Sequence, residues 1–153
     1  MYRKLAILAV VVGIFFGAAM PASVANAQEG ARIAGDAGLY TAFGEKAGLV
    51  GIMDDFMANL LKDPRTRPFF ENADQTRVKE QLVDQFCFIL NGPCEYKGAK
   101  MKPMHAGLGI TRENFNALVE QLQIAMDKHA VPFRAQNRLL AVLAPMHRDI
   151  VTK

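Results

Sequence analysis

The chain has 153 residues, 51% of them hydrophobic, with a formal charge of +3 and two cysteines. That length supports one domain with a sizeable core. The positive charge does not point to nucleic acid: Arg3 and Lys4 belong to an N-terminal leader, their removal lowers +3 to +1, and no basic patch with interleaved aromatics remains.

The leader opens with Tyr2, Arg3 and Lys4, continues as an apolar run over 5–19, breaks at Pro21 and closes on Ala25-Asn26-Ala27. A short cationic start, an apolar stretch and a small-x-small site make a signal peptide over 1–27, with a periplasmic or secreted product whose only relation to the membrane is that signal. The alternative is an uncleaved anchor formed by 5–19. As a helix that run reaches only roughly 22 Å against a hydrocarbon core of about 30 Å. Residues 28–37 are small and polar and read as a flexible linker.

From there the pattern is helical, with no strand-like alternation. Leu39, Tyr40 and Phe43 predict a short helix, with Gly44 and Gly48 in or near the connection that follows. The first long helix is expected over 47–61, where Leu49, Ile52, Met53, Phe56, Met57 and Leu60 form an inward face and Asp63-Pro64 ends it. Arg67, Pro68, Phe69 and Phe70 read as a non-helical aromatic corner that either plugs the core edge or covers a cofactor. Asp74 is an N-cap for the second long helix, on which Val78, Leu82 and Phe86 share a stripe continued by Leu90. Asn91-Gly92-Pro93 stops it, and 94–104 reads as irregular.

Cys87 and Cys94 form an even pair in an exported chain, which suggests a disulfide. Closing so short a loop stabilises by about 2.5 kcal/mol in the chain-entropy view. A buried free thiol at Cys87 is the alternative. There is no C-x-x-C and no nearby Cys/His pair of the kind a zinc site needs.

His105 stands on a turn followed by Gly107 and Gly109, and Thr111 then caps a third long helix with Glu113 in its first turn. Phe115, Leu118, Leu122 and Met126 make that helix's inner face, with Val119 beside them. Val131-Pro132 starts the last helix, striped by Leu139, Val142, Leu143, Met146 and Ile150 and kinked at Pro145. A lone histidine so placed is either a cofactor ligand or a hydrogen-bonded structural residue. The bulky apolar residues Phe56, Met57, Phe70, Val78, Leu82, Phe86, Ile110, Phe115, Leu118, Leu122 and Met126 exceed what a small four-helix core needs. A cofactor-free helical interaction module is the competing class.

These residues also stand in a recognisable order: Leu39-Tyr40, Asp55-Phe56, Pro68-Phe69-Phe70, Gly92-Pro93, Tyr96-x-Gly98, Met101-Lys102-x-x-His105-x-Gly107-x-Gly109-Ile110-Thr111 and Leu143-Ala144-Pro145. In that order and spacing the chain resembles a group I truncated haemoglobin from 39 to 150. The resemblance implies an all-α truncated globin domain over 38–153, a two-over-two helical sandwich around haem b. His105 would be the proximal iron ligand, its other ring nitrogen donating to a backbone carbonyl. Phe70 would pack on the porphyrin face, and Phe56, Phe86, Ile110, Phe115, Leu118, Leu122 and Met126 would line the slot. Tyr96 and Met101 would border it, with Tyr96, Lys100 and Lys102 as candidates near the propionates and a solvated surface role as the alternative for the two lysines. His129 and His147 match no ligand position.

On the distal side the chain departs from the family. Met57 stands where many members have tyrosine, and Val78 and Leu82 occupy the other distal positions; the nearest amides are Gln81 and Gln85. Bound dioxygen carries partial negative charge, and a donor to it contributes about 1.5–3 kcal/mol. Without one, oxygen retention weakens by roughly ten- to a hundredfold. The resemblance therefore implies reversible binding of oxygen, nitric oxide or carbon monoxide in an unusually apolar pocket. The alternatives are nitric oxide dioxygenation, or electron transfer with Met57 as sixth ligand and a separate electron donor.

Overall fold

The computed structural model describes residues 31–36 and 38–153, and every regular element among them is helical. The signal-peptide expectation for 1–27 lies outside the described residues.

The short helix α1 (Leu39–Ala42) turns at Gly44, φ +73°, into α2 (Glu45–Lys62), two residues earlier and one later than the periodicity predicted. A side chain at Gly48 would collide with the Phe43 carbonyl oxygen, so that glycine sets how closely α1 approaches α2. The buried residues of α2 are Leu49, Ile52, Met53, Phe56, Met57 and Leu60, the full expected face.

The aromatic corner is a correction. Arg67–Phe70 forms a one-turn helix, α3, rather than an irregular stretch. The Arg67 N–H donates to the Asp63 carbonyl at 2.8 Å, and the buried Thr66 hydroxyl donates to the Leu60 carbonyl at 2.7 Å. Pro68 falls in the first turn, where its missing N–H has no helical partner to lose.

Helix α4 (Gln75–Ile89) starts at Asp74, whose carboxylate accepts the Arg77 N–H at 3.0 Å. Beyond it the chain doubles back through Asn91, φ +66°, and Cys87 is joined to Cys94 across a Cα separation of 5.7 Å. Gly92 makes that return possible, since a Cβ there would sit 2.6 Å from the Cys87 sulfur and 2.7 Å from the Tyr40 ring.

A second one-turn helix, α5 (Met101–His105), replaces the end of the expected irregular segment. Helix α6 (Arg112–Lys128) opens on a reciprocal cap: the Asn114 N–H reaches the Thr111 hydroxyl at 3.2 Å, and the Thr111 N–H reaches the Asn114 side-chain oxygen at 2.9 Å. Helix α7 (Phe133–Leu143) does not kink at Pro145 but gives way to a 3-10 turn, Ala144–Met146, and a final turn, α8 (His147–Ile150).

In the assembled domain α2 packs on both α4 and α6, α6 packs on α7 and α8, and α5 rests on α8. The pairs α2/α4 and α6/α7 are the two layers. Leu49, Ile52, Met53, Leu60, Ile89, Leu90, Met126 and Leu139 are fully buried between them, each stabilising by about 1.5–3 kcal/mol relative to exposure.

Residues 31–36 are not a flexible linker. The Ile33 N–H donates to the Ile89 carbonyl at 2.9 Å, Arg32 stacks 4.2 Å over the Phe88 ring, and Arg138 pairs with Asp36 at 2.7 Å. Small polar composition concealed this, because the order comes from partners distant in sequence.

Two polar clamps tie the layers. Asp55 accepts Lys128 at 2.6 Å and His129 at 2.8 Å, and both hydrogen bonds, the lysine's foremost, hold its carboxyl below the usual range. Asp63 accepts Arg65 at 2.7 Å and Gln121 at 2.8 Å, and Arg65 above all lowers its pKa to about 2. Arg65 also reaches Glu120 at 2.7 Å, and its carbonyl accepts Asn114 at 2.9 Å. His129 is thus structural, with its ring against Gly51. His147, hydrogen-bonded to the Ala144 carbonyl at 3.1 Å with its ring tilted toward Phe115, is likewise engaged locally.

Candidate functional site

Between α4 and the α5–α6 side of the sandwich lies a cavity of about 680 Å³, within the roughly 300–1,000 Å³ typical of cofactor and ligand sites. Its walls carry His105, Phe56, Phe70, Val78, Leu82, Phe86, Tyr96, Met101, Ile110, Phe115, Leu118 and Leu122, all singled out from the sequence.

Four of the expected residues are not in that wall. Met126 is fully buried four residues beyond Leu122, where α6 has run past the cavity into the core. Met57 is only 4% exposed, yet it too is absent from the lining. It follows Phe56 by one residue, about 100° further round α2, and Phe56 takes the cavity-facing position. The cavity wall at this turn of α2 is formed by Phe56. Lys100 and Lys102 are exposed and also off the wall; the cation in the lining is Arg77, at the start of α4 beside Asp74.

The geometry around His105 is specific. Its Nδ1 lies 2.7 Å from the Met101 carbonyl oxygen. A carbonyl only accepts, so Nδ1 carries a proton, and in the neutral ring Nε2 then keeps its lone pair. Gly107 at φ +80° and Gly109 at φ +67° then carry the backbone away through the left-handed region, which glycine enters without strain. The Ile110 carbonyl accepts the N–H groups of Thr152 at 2.9 Å and Lys153 at 3.2 Å, which fixes the far side of the turn. Tyr96 folds over Gly98, and any side chain there would run into the phenol; this is the physical content of the Tyr-x-Gly pattern.

Other lining residues were not foreseen. Thr66 and Asn114 bring polar atoms to a largely apolar wall, and Met104 and Leu108 border it from beside His105; Gln85, one of the two nearest amides in the sequence, is in the wall as well. Gln85 was legible in principle, being three residues after Leu82 and seven after Val78 on one helical face. The site as a whole is an aromatic and aliphatic slot entered by one imidazole with a free nitrogen lone pair. It fits a flat, largely apolar cofactor whose metal takes one nitrogen ligand from the protein.

The sequence matches the family described as "Bacterial-like globin" over residues 38–152. It is 31% identical to the group 1 truncated haemoglobin of Mycolicibacterium paratuberculosis, over 79% of this chain and 89% of that protein. The chain belongs to the group I truncated haemoglobins. This globin is also 26% identical to the Tetrahymena pyriformis group 1 protein, over 75% of this chain and 95% of that one. The crystal structure of the Tetrahymena pyriformis truncated haemoglobin in its Fe(III) form superposes with a TM-score of 0.71, covering 75% of this chain and 98% of that chain. The two-over-two globin fold expected from the sequence is therefore the observed one. The cofactor of the globin is haem b and its activity is haem-based ligand binding.

Proposed function

We propose that this globin is an exported haem protein that reversibly binds diatomic gases, with His105 as the proximal iron ligand. The observation that carries this is the 2.7 Å contact of His105 Nδ1 with the Met101 carbonyl. It orients the ring, fixes the tautomer and leaves Nε2 as the donor atom, the arrangement that strengthens an imidazole ligand. Haem supplies the ferrous centre to which the gas binds. Phe70, Phe86, Phe115 and Leu118 supply the apolar slot that holds the ring and keeps bulk water out, while Arg77 and Tyr96 are the groups suited to its carboxylates. Val78 and Leu82 face the ligand side with no donor, which favours carbon monoxide and nitric oxide relative to oxygen. Support for export is the Cys87–Cys94 disulfide, a bond that persists in oxidising compartments.

The test is absorption spectroscopy of the purified protein. Wild type shows a Soret band, and His105→Gly loses the five-coordinate ferrous spectrum and regains it on addition of imidazole. A variant with an unchanged ferrous spectrum removes His105 from the iron. Mass spectrometry of the protein from its native host should give a chain starting at Gln28 with no free thiol; an intact leader refutes cleavage.

A further inference from the structure

Val78 and Leu82 make the ligand side apolar, but α4 carries one more residue on that face. Gln85 is 4% exposed and lines the cavity, and its side-chain nitrogen has no hydrogen-bond partner among the described residues. Buried donors are almost always paired in native proteins, so an orphan on a residue of the cavity wall marks a place for a partner that arrives with the ligand. The other buried or half-buried polar side chains nearby are engaged. The Thr66 hydroxyl donates to the Leu60 carbonyl, and the Asn114 amide donates to the Arg65 carbonyl. Asp74 is occupied as the α4 cap, and Gln81 lies exposed at the rim.

We propose that the Gln85 amide N–H is the distal hydrogen-bond donor of this globin, replacing the groups lost at Met57, Val78 and Leu82. Its partner is the outer, partially negative atom of a diatomic ligand or small anion held opposite His105. This rests on the haem reading above. It also revises the consequence drawn there: oxygen is retained by one donor placed one turn further along α4 than the family's usual position. A single neutral donor holds the polarised ligand without placing a fixed charge in the cavity.

The experiment compares wild type, Gln85→Leu and Gln85→Met as haem-loaded and haem-free proteins. In the loaded form the readouts are the stretching frequency of bound carbon monoxide and the oxygen dissociation rate by stopped flow. Both variants should raise the carbon monoxide stretch and speed oxygen loss at least tenfold, equivalent to about 1.4 kcal/mol. In the haem-free form both variants should melt no lower than wild type, because the orphaned amide has lost no partner there. A Gln85 that only supports the fold gives the opposite pattern, with lower haem-free melting temperatures and an unchanged stretch, and that overturns the proposal. So do variants that bind haem and match wild type in both loaded readouts. A wild type that takes up no haem overturns the haem reading itself.

Discussion

The Cys87–Cys94 bond closes a short loop at the end of α4, with a sequence separation of 7. A loop of that size restricts the unfolded chain by about 2.5 kcal/mol at 25 °C. For a domain between the small and medium classes, each kcal/mol moves the melting temperature by roughly 3–6 °C, so reduction should lower it by about 10 °C. The structure gives no reason for native strain to cancel this. The returning chain is already held by the Gly92 N–H on the Cys87 carbonyl at 2.7 Å and by Arg32 on the Gly92 carbonyl at 3.3 Å. The same bond ties Cys87, next to the cavity residue Phe86, to the segment that leads into Met101–His105. Reduction should therefore also speed haem transfer to a scavenging acceptor. The assay is circular dichroism melting of haem-free protein, oxidised against reduced, with thiol content checked by mass spectrometry. Cys94→Ala serves as the reductant-free control, since it leaves the buried Cys87 side chain in place. A melting temperature that moves by less than about 2 °C in both comparisons would refute the loop-closure argument.

Three further outcomes are expected. Leu60→Ala, at a fully buried position of α2, should lose about 2–5 kcal/mol in urea unfolding; a loss below about 1 kcal/mol contradicts the packing described. Thr111→Ala removes the oxygen that accepts the Asn114 N–H and should cost about 1 kcal/mol by the same measurement, whereas an unchanged midpoint denies the cap its role. Asp63 has its carboxyl lowered from 3.8 to about 2, so the unfolded chain takes up its proton first as acid is added. Its contribution is complete above about pH 4 and disappears as the pH falls toward 2. Stability measured across that window should fall less steeply in Asp63→Asn than in wild type, and parallel curves would exclude the Arg65 and Gln121 contacts as its source.

What was legible in the sequence was set by period and by caps. The six buried residues of α2 follow directly from 3.6-residue spacing, and Asp74 and Thr111 mark their helix starts by chemistry alone. The slot was legible as well, because Val78, Leu82 and Phe86 on α4 and Phe115, Leu118 and Leu122 on α6 are bulky and regularly spaced. Three kinds of feature were not. One-turn helices such as Arg67–Phe70 and Met101–His105 are too short to show a period. The order of 31–36 depends on Ile89, Phe88 and Arg138, which no local window contains. Gln85 stands in the sequence as one of two nearby amides, and only its burial separates it from the exposed Gln81.

Helix α5, which carries His105, rests on α8 near the end of the chain, and the Ile110 carbonyl beside it is held by Thr152 and Lys153. A polypeptide is made from its N-terminus, so His105 is synthesised some forty residues before its brace (roughly, at 3.3–3.6 Å per extended residue, well over 100 Å of chain). The α2/α4 layer is complete long before then and can fold first as a unit. The imidazole is thus locked only after α8, Thr152 and Lys153 have been made. A chain cut before α8 would retain the histidine yet lack the scaffold that aims it.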